Sequence, residues 1–194
     1  MNTYVISVIA ALIMFAVVMV SAGVNQASAP DSAFTPAGTA FGITLGKRFH
    51  PSMVARVIDR KPHNYTGPNG SQHEGTVLHI EPNIPDERFQ DYSVKTKNDG
   101  IIYSIQAGYQ FLVEPAQVKK MGRVKEARLV RSTCKAAVRD LALRLEANYG
   151  KPRGQGRDGE WFSFRQLSAH SDMSLNLYAN RCRTGFYYVV LMNR

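Results

Sequence analysis

With 194 residues and a hydrophobic share of 44%, the chain has too much apolar material for a disordered polypeptide and enough for one sizeable core. Two cysteines are too few for a disulfide-dense mini-protein or a four-cysteine zinc module. A formal net charge of +9 favours anionic partners, so the place where that surplus sits along the chain carries the information.

The chain begins with an apolar run. No Asp, Glu, Lys or Arg precedes Asp31, and Tyr4 to Val20 holds one polar residue, Ser7. A secretory signal has an apolar core of roughly 7–15 residues followed by a small-residue cleavage site. A membrane-spanning helix needs roughly 17–25 residues. This run falls between the two. Val20-Ser21-Ala22 fits a cut before Gly23, and Ala27-Ser28-Ala29 fits a second cut hindered by Pro30. Met1, Asn2 and Thr3 supply no basic side chain, so the usual positive cue for processing and orientation is absent. Residues 1–22 are therefore expected to form a hydrophobic helix that is a signal peptide or a signal anchor. Under either reading the remainder is exported, periplasmic or secreted, and stays anchored by residues 4–22 if the helix is not cut. No Cys follows the run, which excludes a bacterial lipoprotein anchor.

Residues 23–40 are rich in Ala, Ser, Gly, Thr and Pro and read as a flexible linker. The folded domain is expected over 41–194. Ile43, Leu45 and Phe49 suggest a short strand or packed turn. Pro51 opens a predicted helix whose apolar positions are Met53, Val54, Val57 and Ile58, with Pro62 as its stop. Residues 61–75, rich in Gly, Pro, Asn and Ser, read as a loop. Three strands follow at Thr76–Glu81, Phe89–Thr96 and Ile101–Phe111, the last two joined by the hairpin signal Asn98-Asp99-Gly100.

A long helix is predicted from Pro115 to Asn148, interrupted at Gly122 and stopped by Gly150 and Pro152. Strands at Glu160–Gln166, Met173–Ala179 and Phe186–Met192 complete the chain. The last is continuously apolar to Leu191, as in a central strand. The expected fold class is α+β: two helix-plus-three-strand units, about 41–113 and 114–194, forming one antiparallel sheet with the helices on one face.

The Phe41-Gly42-Ile43-x-Leu45-Gly46 turn, the helix end Tyr149-Gly150-Lys151-Pro152 and the strands after each resemble secreted bacterial domains of the β-lactamase-inhibitor-protein and SmpA/OmlA type. The resemblance spans Phe41 to Met192 as architecture. The chain departs from it in its long second helix and in lacking the lipoprotein cysteine of the SmpA type. It implies an envelope or secreted binding protein without catalysis, and it transfers no functional residue.

On the long helix Val130, Cys134, Ala137, Val138, Leu141 and Leu145 share one arc, so Cys134 should face the sheet. Cys182 follows the Met173 strand, just before the turn Arg183-Thr184-Gly185. In an exported chain, an even and small cysteine count favours a Cys134–Cys182 disulfide over two buried thiols.

Between Lys119 and Arg157 stand twelve Lys or Arg against Glu126, Asp140 and Glu146, a surplus equal to the net charge of the whole chain. At about 100° per residue, Lys125, Arg128, Arg131, Lys135 and Arg139 fall in one arc of about 120°, read as opposite the apolar stripe. Lys151, Arg153 and Arg157 extend the patch into a glycine-containing loop. A solvated helix face normally mixes signs to gain i,i+4 pairs; this one barely does. The eight residues are expected to bind an anionic partner, an acidic protein or an anionic membrane surface. Export and the lack of an aromatic-interleaved basic strand disfavour nucleic acid.

Other candidates fail their context. His73-Glu74 with His79 lacks the His-Glu-x-x-His spacing of a zinc site, and Gly154-x-Gly156 follows a helix where a phosphate loop follows a strand. No nucleophile, base and orienter stand in a recognised motif. No metal, cofactor or catalytic residue is therefore expected. The favoured function is an exported non-catalytic binder of the inhibitor, immunity or accessory type. The alternatives are a membrane-anchored structural component of an envelope assembly and a small hydrolase without a recognisable motif.

Overall fold

The computed structural model describes residues 34–35, 38–67, 69–168 and 171–193. The expected N-terminal helix and linker residues 23–33 lie outside the described residues. Among the described residues, no helix is long and apolar enough to cross a membrane.

Folded structure already includes Phe34. Strands β1 (Phe34–Thr35), β2 (Thr39–Ala40) and β3 (Ile43–Thr44) form a small antiparallel sheet. Phe34 is 2% exposed and meets Phe41 and Phe89 edge-on, with ring centroids 5.0 and 6.0 Å apart. The linker expected over 23–40 is corrected to that extent. In a small-residue stretch, one buried aromatic gains enough from leaving water to hold the backbone around it.

The main sheet runs through β4 (Val54–Thr66), β5 (Gln72–Pro82), β6 (Asp91–Lys97) and β7 (Ile102–Gln110). After α1 (Pro115–Met121) and α2 (Arg123–Tyr149) come β8 (Gly154–Gln155), β9 (Trp161–Ser168), β10 (Ser171–Tyr178) and β11 (Phe186–Asn193). The strand order is β4-β5-β6-β7-β11-β10-β9-β8, antiparallel throughout. Two four-stranded meanders therefore meet at their last strands, β7 and β11, with the helices as the connection between them.

The α+β class stands, but the first helix-plus-three-strand unit does not. Pro51–Met53 is a single 3-10 turn, and Val54–Thr66 is a 13-residue strand. The predicted loop over 61–75 is largely the end of β4 and the start of β5, joined by a turn in which Gly67 N–H bonds the Ser71 carbonyl. β4 is an edge strand with irregular register between Val54 and Arg56 and between Val57 and Asp59. Those irregularities erase the period-2 alternation that marks a strand. The edge position also tolerates Pro62, which has no N–H to donate.

Directly opposed residues in an antiparallel sheet share a face. One row crosses six strands as Leu78, Val94, Ile105, Leu191, Leu175 and Phe164, all buried. A parallel row runs Ile80, Tyr92, Ala107, Val189 and Leu177. α2 packs on this face through Cys134, Val138, Leu141, Ala142 and Leu145. Gly122, at φ 73° and ψ 149°, ends α1 and lets α2 start in a new direction.

Candidate functional site

Cys134 and Cys182 form a disulfide with their Cα atoms 5.5 Å apart. Both residues are buried, and the bond ties α2 to the turn between β10 and β11. That turn is stiffened from within. Thr184 donates its N–H and its hydroxyl to the Arg181 carbonyl, each at 2.8 Å, and Gly185 N–H bonds the Cys182 carbonyl at 3.2 Å. The turn therefore presents Arg183 from a fixed position beside α2.

Next to the disulfide lies a recess of about 640 Å³. Arg131, Lys135 and Arg139 form its α2 wall, and Arg183 enters from the tethered turn. The lining also includes Gln155 at the end of β8, Asp158 and Glu160 from the segment between β8 and β9, and Asn180 after β10. The floor is apolar: Val138, Phe162, Ala179 and the buried Cys182. The segment between β8 and β9 is fixed to the sheet by Ala179 N–H to the Glu160 carbonyl at 2.7 Å and Gly156 N–H to the Trp161 carbonyl at 2.8 Å. Trp161 lies against Gly154 and Gly156, where a Cβ would sit 2.9 and 2.5 Å from its ring. Asp158, one of the lining residues, holds a left-handed backbone conformation at φ 58°.

The eight predicted basic residues divide. All are exposed. Arg131, Lys135 and Arg139 line the recess, whereas Lys125 and Arg128 lie nearer the N-terminus of α2, outside it. Lys151, Arg153 and Arg157 follow the helix and are also outside the lining. The basic arc does not oppose the buried one. From the positions that pack on the sheet, the two arc centres differ by about 90° at 100° per residue. The cations therefore flank the helix–sheet seam, and this lateral placement creates the recess. Asp158 and Glu160 had no sequence signal linking them to α2, because the strand register brings them there; Arg183 was signalled only through the expected Cys134–Cys182 bond beside it.

Among the described residues the ion pairs are Arg56–Glu81, Lys61–Asp59, Arg88–Asp86 and Arg144–Asp140. None involves a recess cation. Successive like charges at i,i+3 and i,i+4 from Lys125 to Arg139 cost α2 about 1–2 kcal/mol in total, before screening by salt. An anion seated in the recess would relieve that repulsion.

The recess lining contains no His, Ser, Thr or Tyr, and its cysteine is held in the disulfide. Its ionisable groups besides the arginines are Lys135, Asp158 and Glu160, which stand in no recognised catalytic motif. Among the described residues no three His, Cys, Asp or Glu side chains gather as a metal site would need. The arrangement can bind an anion electrostatically and bury apolar stems beneath it.

No protein-family model, curated protein or solved structure matches the chain.

Proposed function

We propose that this is an exported, non-catalytic binding protein of the inhibitor, immunity or accessory type, which engages an anionic partner through the basic side of α2. The observation that carries the reading is the set of exposed cations on α2 with no acidic partner among the described residues, Arg144 excepted. The disulfide supports an oxidising compartment, since such bonds persist outside the cytosol. The apolar run from Val5 to Val20 supports export by the same route. Self-repulsion retained on one side of a helix is expected where the field has a use.

The direct experiment measures binding of the purified protein to polyglutamate and to vesicles of anionic lipid, with neutral vesicles as the reference, across a salt series. Binding to at least one anionic probe that weakens steeply with salt is the expected result. Absence of binding to both at low salt overturns the reading.

A further inference from the structure

We infer that the recess between α2 and the segments 155–160 and 179–183 is the binding site, and that it takes an extended polypeptide strand with acidic residues at alternate positions. This rests on the anion-binding role proposed above and adds its location and the shape of the ligand.

Three observations carry it. The first is concavity. Arg131, Lys135, Arg139 and Arg183 line a space of about 640 Å³ together with residues of the segments 155–162 and 179–182. A bilayer surface is flat on this scale and would meet only the rim, whereas a chain can enter; the volume falls within the roughly 300–1,000 Å³ of sites that enclose a ligand.

The second is spacing. Arg131, Lys135 and Arg139 recur every four residues, about 6 Å apart along the helix axis. In an extended chain, side chains two residues apart project to the same side at intervals of about 6.6–6.8 Å. Across three such steps the drift is small beside the reach of Arg and Lys, so one acidic edge of a strand can meet all three cations.

The third is the mixed wall. Asp158 and Glu160 share the lining with the cations, yet among the described residues neither forms an ion pair with them. A ligand with carboxylates on every side would be repelled there, while one with neutral or basic residues on its second edge would not. Gln155 and Asn180 offer amides to the backbone of such a strand.

The test compares two octapeptides, octaglutamate and alternating Glu-Ser, by fluorescence anisotropy on the full protein, with anionic vesicles as a separate arm. The Glu-Ser peptide is expected to bind at least as tightly as octaglutamate despite half its charge. The triple variant Arg131→Glu, Lys135→Glu, Arg139→Glu should weaken it by about 10-fold or more. Lys125→Glu with Arg128→Glu should change it by less than about 2-fold. Asp158→Asn with Glu160→Gln, at two exposed positions, should tighten octaglutamate while leaving the thermal unfolding midpoint in place, so the test does not depend on how well the triple variant folds.

Tighter binding of octaglutamate than of Glu-Ser, or equal loss from the outer pair and the recess triple, overturns the inference while leaving general anion binding intact. Binding to vesicles without binding to either peptide does the same and assigns the surface to a membrane. No binding in any arm overturns both this inference and the reading beneath it.

Discussion

Replacing Cys134 and Cys182 together by Ala removes a crosslink between positions 48 residues apart in the chain. In the chain-entropy treatment, freeing a loop of that length returns about 14 cal/mol/K to the unfolded state, or about 4 kcal/mol at 25 °C. Alanine is the right replacement because both residues are buried, and a Ser hydroxyl there would add an unmet hydrogen-bonding cost. For a domain of this size, about 4 kcal/mol corresponds to an unfolding midpoint lower by about 8–16 °C. Urea unfolding of the oxidised protein and of the double variant gives the difference directly. The reduced wild-type protein should fall near the double variant, and reductant should leave the variant unchanged. A loss below about 1 kcal/mol would show instead that packing alone holds α2 and the 182–184 turn together.

Three further outcomes follow from the packing and the charges. Phe34→Ala should destabilise by about 3–5 kcal/mol in chemical unfolding, since it empties a buried aromatic site; a cost under about 1 kcal/mol would return Phe34 to the linker. Gly185→Ala should cost about 2–4 kcal/mol, because the residue sits at φ 73° and the new Cβ would lie 2.4 Å from Val130 Cγ1 on α2. Neutral behaviour of Gly185→Ala would show that the turn does not press on the helix. At Asp86, burial alone would raise the carboxyl, but hydrogen bonds from Arg88 outweigh it and hold the group below its ordinary value of 3.8. With the folded value below the unfolded one, this contribution is complete above the unfolded value and is lost as pH falls through the folded one. Asp86→Asn should therefore flatten the acid limb of the stability–pH curve below about pH 4, and an unchanged slope there would contradict the assignment.

The second half of the chain was legible because its signals are local and agree with one another. Leu175 and Leu177 alternate with polar neighbours, Gly122 and Gly150 bound α2, and Cys134 lies on its buried arc. The disulfide followed from those two readings plus the expectation of export. The region from Pro51 to Gly75 misled for a physical reason. Pro51 does begin a helical turn, but Val54, Val57 and Ile58 belong to a bulged edge strand whose irregular register mimics helical spacing. Of the site, the three recess cations on α2 could be read from sequence. Asp158 and Glu160 could not, because they come from another segment and meet α2 only through the sheet register, whereas the place of Arg183 was implicit in the expected Cys134–Cys182 bond.

Anion binding is proposed to centre on the recess beside α2 and not on the whole basic surface. Heteronuclear NMR titration of the isotope-labelled protein with the alternating Glu-Ser octapeptide tests this most directly. Amide shifts should concentrate at 131–139, 155–160 and 179–183. Shifts centred on 123–128 and 151–153, or spread evenly over every exposed cation, would contradict it.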